Sequence, residues 1–205
     1  MKAIWVTLLI MFELSVCAQT YSLFYDDGAL KAMGDLDSAE RKVGEWMYFY
    51  PGNILSATLN YKADELDGGQ KYYYPNGQLQ SIENWEEGLL EDSARYYHEN
   101  GQLEKIGVYE GGLYEGKWLF YFDNGKLKRE GSYEEGLPQG YWKFYFENGK
   151  MNQEGVLVEG KEHGLWKYFD EEGNPLYEGT WNEGERVGQW YFFKKGKRKK
   201  WKNFD

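Results

Sequence analysis

The feature that most constrains this chain is a period. Residues 116–139 read "GKWLFYFDNGKLKREGSYEEGLPQ", and the next residues, "GYWKFYFENGKMNQEG", repeat the pattern 24 residues on. With Gly116 as position one of a 24-residue frame, Gly44, Gly68, Gly140, Gly164 and Gly188 share that position. Gly77, Gly101, Gly125, Gly149 and Gly173 share position ten, and Gly107, Gly131, Gly155 and Gly179 share position sixteen. Gly88, Gly112, Gly136, Gly160 and Gly184 share position twenty-one, so four positions hold twenty of the 26 glycines. Trp46, Trp118, Trp142, Trp166 and Trp190 share position three. A fixed interval of this size marks an array in which each unit buries its apolar surface on its neighbour.

Each unit reads as one β-hairpin. "KWLFYF" is an aromatic run that favours a strand. "DNG" and its siblings "ENG" and "PNG" follow, and Asn-Gly between two strand-like runs is a hairpin signal because both residues tolerate positive φ. "KLKREGSY" is a second strand, and "EEGLPQG" turns the chain into the next unit. No window has a 3.6-residue apolar period. The expected fold is all-β: an elongated, single-layer antiparallel meander of β-hairpin repeats. Such a sheet has no second layer to cover it, and aromatics at 19% of the chain can supply the core by stacking on each other and on flat glycine backbone.

The units run 44–67, 68–91, 92–115, 116–139, 140–163 and 164–187, with a further half from 188. Residues 19–43 read as a degenerate N-terminal repeat that caps the stack. The array therefore spans 44–193, and 194–205 read as a basic C-terminal tail. Residues 1–18 read as a signal peptide: Lys2 is the positive start, Ile4–Phe12 the apolar run and Val16-Cys17-Ala18 the cleavage site. That run is too short to span a bilayer, which takes roughly 20 apolar residues. The expected location is secreted or periplasmic. Leu14-Ser15-Val16-Cys17 approaches a lipobox, which leaves lipoprotein anchoring as the minority reading. Cleavage after Ala18 removes the one cysteine, and with it disulfide and thiol chemistry.

Charge is uneven. Residues 1–193 hold 17 basic and 33 acidic side chains, which argues against nucleic acid as a partner, since phosphates need a basic face. The last stretch holds Lys194, Lys195, Lys197, Arg198, Lys199, Lys200 and Lys202. Lysines there guard an open sheet edge, touch anionic headgroups, or meet an acidic patch of another copy.

Little in the sequence resembles an active site, and the chain is expected not to be an enzyme. The two histidines fall in different frame positions: His98 replaces the aromatic of Tyr74, Phe122 and Phe146, and His163 precedes a turn glycine. No nucleophile–His–acid pattern is present. Acidic turns such as Glu134-Glu135 and Asp170-Glu171-Glu172 lack calcium-loop spacing, so no metal and no cofactor is expected. Alternation along a strand puts positions three, five and seven on one packed face and positions four and six on a wetter one. The wetter face carries the candidate binding residues Tyr73, Tyr97, Tyr121, Tyr145, Phe169, Lys143 and Lys167, a tyrosine-rich pattern suited to proteins or sugars. The alternative is a ladder that only pairs across strands. Units 68–91 and 92–115 carry Gln70 and Ala94 in the Trp position, and the missing indoles suggest a shallow groove near Tyr72 and Tyr96.

"YEGTWNEGERVGQW" (177–190) resembles the MORN motif Y-x-G-x-W-x-x-G-x-x-x-G, with "GSYEEGLPQGYW" and "GVYEGGLYEGKW" as looser copies. The added "YFENGK" is similar to the bacterial variant of the YwqK-like family, assigned as antitoxins of toxin–antitoxin systems. The resemblance covers about 44–193. It implies a non-enzymatic module for protein interaction, dimerisation or lipid contact. The expected function is therefore a binding or scaffold protein of the cell envelope, antitoxin-like by resemblance. Its expected partner is a protein, self-association included, with membrane-surface or glycan contact open. The alternative is a cell-surface carbohydrate-binding repeat protein, since "GYWKFYFENGKM" also resembles the aromatic hairpins of glucan-binding repeats.

Overall fold

The structure, a computed structural model, describes residues 19–205; the expected signal peptide at 1–18 lies outside them. Among the described residues there is no helix, and all 18 strands form one open antiparallel sheet. Pairing follows chain order from Gln19–Phe24 at one edge to Lys197–Phe204 at the other, with two couples of strands each sharing one partner. Glu65–Leu66 and Gly68–Tyr73 both pair with Ile54–Lys62 and make one arm. Leu89–Leu90 and Asp92–Tyr97 do the same on Leu79–Glu86. The sheet is thus a meander of sixteen arms.

Both turns of each unit fall where the sequence puts them, but their geometries differ from the expectation. Asn-Gly is not a tight two-residue turn. In Asp123-Asn124-Gly125 only the glycine has positive φ, +78°, and the loop closes through Phe122 N–H to the Lys126 carbonyl at 2.9 Å. Asn124 instead accepts from Lys126 N–H at 3.0 Å and donates to the Glu147 carbonyl of the next unit at 3.1 Å. The tight turn is Glu135-Gly136, at φ 49° and 80° between the paired Glu134 and Leu137. Positive φ at both central residues is the primed turn that matches strand twist. Its glycine N–H donates back to the Tyr114 carbonyl at 3.0 Å. Both margins of the sheet are therefore stitched from unit to unit.

The core is a row of tryptophans laid on glycine. Trp46, Trp118, Trp142, Trp166 and Trp190 are at most 2% exposed. Each indole covers a glycine of the preceding arm (Gly34, Gly107, Gly131, Gly155 and Gly179), so close that a Cβ would collide with the ring. The rings continue into Phe144, which lies 5.9 Å from Trp142 and 6.2 Å from Trp166, and into Tyr168, 6.1 Å from Trp190. Trp118, Trp166 and Trp190 donate Nε1–H to the carbonyls of Val108, Val156 and Thr180 at 3.0, 3.1 and 3.2 Å, so burial leaves these indole N–H groups paired.

Candidate interaction face

Turned away from the tryptophans is a face built from two rows. In the first, Tyr73, Tyr97, Tyr121, Tyr145 and Phe169 stand opposite Leu79, Leu103, Leu127, Met151 and Pro175. All five aromatics are half-buried, so their rings are both sheet packing and surface. Burial, the hydrogen bond to Glu130 and that carboxylate's charge push the Tyr145 hydroxyl up to about 12.

The second row holds charge, and its two ends differ. In the C-terminal half Lys143 sits across from both Glu130 and Glu154, and Lys167 across from both Glu154 and Glu178. Lys143 Nζ lies 3.9 Å from Glu130 and Lys167 Nζ 3.9 Å from Glu154, with Lys117 3.1 Å from Glu130 and Arg198 2.5 Å from Glu178. Burial pushes the Glu130 carboxyl up. The bonds from Lys117 and Tyr145 and the charges of Lys117 and Lys143 outweigh it and hold Glu130 below the usual carboxylate range. In the N-terminal half, Lys71 stands between Thr58 and Ile82, and Arg95 between Ile82 and Ile106. Both cations are exposed, and among the described residues neither makes an ion pair. The sequence reading named the lysines but missed the glutamates, because the facing position follows from bulges in the register.

Gln70 and Ala94, 0% and 1% exposed, lie where other arms carry tryptophan. The facing glycine is gone as well: Leu59 and Glu83 occupy those positions, both buried. Gln70 Nε2 donates to the Asn60 carbonyl at 3.1 Å, the same frame position that accepts from the tryptophans. Its Oε1 accepts from Asn60 N–H at 2.6 Å. Glu83 accepts from Trp85 Nε1 at 3.0 Å. Tyr72 and Tyr96 remain half-buried beside it, and burial together with the Glu83 charge pushes Tyr72 up to about 12.

His98 does what the tyrosines at its frame position do. Its ring nitrogen meets the Tyr121 carbonyl at 3.1 Å, as Tyr74 Oη meets that of Tyr97 at 2.8 Å. His163 is exposed. The basic stretch is not a loose tail: Lys194 and Lys195 enter a tight turn, and Lys197–Phe204 is the last strand of the sheet. Four further cations, unforeseen, lie over rings of the packed face. Lys42 is 4.9 Å from the Trp46 ring, Lys105 4.0 Å from Tyr96, Arg129 4.1 Å from Phe120 and Arg186 4.7 Å from Trp190.

The sequence profile of the MORN repeat variant matches 66–87, 93–110, 114–135, 138–157 and 162–183, just over half of the chain. This chain belongs to the MORN repeat variant family. Membership is consistent with a repeat-based binding or scaffold protein. The matched segments end at or before the tight turns and each contains one of the wider loops, so the family's unit is the pair of arms around Asn124-Gly125 and its siblings. No curated protein matches this MORN-variant chain. Crystal structures of TcdB2-TccC3-Cdc42 and of TcdB2-TccC3 are each 12% identical to it, over 85% of this chain and 14% of theirs, with a TM-score of 0.20. The chain spans about one seventh of those structures, and a superposition that poor carries no argument.

Proposed function

We propose that this MORN-variant chain is a non-enzymatic binding or scaffold protein of the cell envelope that takes a protein partner on the face opposite its tryptophans. The contrast along that face carries the reading. In one half the cations are matched by glutamates within the sheet; in the other, Lys71 and Arg95 are exposed among Ile82, Ile106 and Thr58 with no acid across from them. Unmatched cations beside apolar surface suit an acidic segment that also carries apolar side chains. Export rests on the Lys2, Ile4–Phe12 and Val16–Ala18 pattern. An antitoxin-like role, by resemblance to the YwqK-like proteins, is the finer version of the same proposal.

Affinity capture from the envelope of its own organism tests it. The Lys71→Glu/Arg95→Glu double variant is expected to lose the captured protein, while Lys143→Glu/Lys167→Glu keeps it. Equal capture by both variants removes this face from consideration. Retention of glycan in place of protein replaces the reading with carbohydrate binding.

A further inference from the structure

Every interior arm has its rings covered by the next unit; the two ends do not. Among the described residues, Gln19–Phe24 pairs only with Leu30–Leu36, and Lys197–Phe204 only with Glu185–Lys194. Each end leaves a row of backbone donors and acceptors free, which is a template for another strand. Apolar side chains cluster there too. Tyr21 is 46% and Phe24 61% exposed at the first edge, and Trp201 is 47% exposed at the last.

Three properties make the edges complementary to each other. The first is direction: with sixteen arms in strict alternation, the first and last run oppositely, so a second copy with the same face up continues the antiparallel ladder. The second is apolar surface beside a buried tryptophan at each edge. A cleft of about 580 Å³ opens beside Trp46, lined by Tyr21, Leu23, Asp37, Glu40 and Asp64, and one of about 370 Å³ beside Trp190, lined by Tyr177, Arg186 and Trp201. The third is charge. Carboxylates line the first cleft, although Asp37 already pairs with Arg41 at 2.7 Å and Lys42 stands among them. The other end presents Arg186, unpaired among the described residues, and the lysines of the last strand.

We propose that the chain associates head to tail with copies of itself, the Lys197–Phe204 edge of one copy adding as a strand to the Gln19–Phe24 edge of the next. This rests on the scaffold reading and names one partner for it. Such a contact is heterologous, so each copy joined still offers a free edge to the next and assembly passes the dimer. The edge lysines then act as a selector: they repel a second basic edge and accept an acidic one.

Sedimentation of the purified full chain tests this across protein concentration and from about 50 to about 500 mM salt. Average mass is expected to climb past the dimer with concentration and to fall with salt. Ser22→Pro blocks the first edge and Lys199→Glu/Lys200→Glu the last. Each variant alone is expected to be monomeric, and the two mixed are expected to give a discrete one-to-one dimer, because each retains the edge the other lacks. Tryptophan fluorescence checks that both are folded, and the salt series on the unaltered chain needs no variant. A monomer at every concentration, or a dimer that survives both variants, overturns the proposal. A monomer that still captures a protein through Lys71 and Arg95 overturns only the head-to-tail contact and leaves the binding reading standing.

Discussion

Units 68–91 and 92–115 differ from 116–139 and its followers in one exchange with two halves. Where a later unit sets tryptophan on glycine, the earlier ones set Gln70 against Leu59 and Ala94 against Glu83. The indole and the bare backbone beneath it come and go together, because the ring leaves no room for a Cβ. Gln70 keeps a side-chain donor on the carbonyl at Asn60, the place an indole would otherwise serve, whereas at Ala94 the equivalent Asn84 carbonyl is served by Glu91 N–H at 2.9 Å. Glycine at frame position sixteen is therefore a consequence of tryptophan rather than an independent requirement of the strand.

The comparison can be broken in graded steps. Trp166→Ala leaves the largest cavity and is expected to cost about 3–5 kcal/mol in denaturant unfolding. Gly155→Ala forces a methyl into the Trp166 ring and is expected to cost about 1–3 kcal/mol; combined with Trp166→Ala it should add little, since its obstacle is gone. Ala94→Trp alone should also destabilise, because buried Glu83 holds the space, and Ala94→Trp/Glu83→Gly should recover most of that loss. Gln70→Leu strands the half-buried Asn60 N–H, while the Asn60 carbonyl keeps Asp67 N–H at 3.0 Å, and is expected to cost about 1–3 kcal/mol. Lys143→Ala, on a partly exposed pair, should change stability by no more than about 1 kcal/mol.

The charge row adds a pH signature. Glu130 titrates lower folded than unfolded, so its contribution is complete above the ordinary carboxylate range and is lost as pH falls through its folded value. Thermal melts should decline in acid, and Glu130→Gln should flatten part of that decline. Tyr72 and Tyr145 shift the other way, to about 12, so their contribution is complete below pH ~10 and lost as pH rises toward 12.

The meander was legible because its requirements are local: tryptophan, facing glycine and turn glycine recur at fixed intervals. The turn positions were legible and their geometry was not, because Asn-Gly supports two geometries, and sequence alone does not reveal that Asn124 bonds forward to Glu147. The face was half legible. Lys143 and Lys167 could be placed on it by alternation, but Glu130 and Glu154 face them across bulges that shift the register by two residues, and Glu178 faces Lys167 from the following arm. Lys42 and Arg186, over the terminal tryptophans, were invisible for the same reason.

The stitching between units has a consequence for how the chain reaches this state. Among the described residues, side-chain hydrogen bonds reach at most 24 positions, from Tyr25 to the Phe49 carbonyl. Nothing distant has to be found before something near can form, so structure can start at any hairpin and spread by growth at its ends. Length is then an adjustable quantity: removing one 24-residue unit from the middle should splice equivalent edges together and shorten the sheet without refolding the rest.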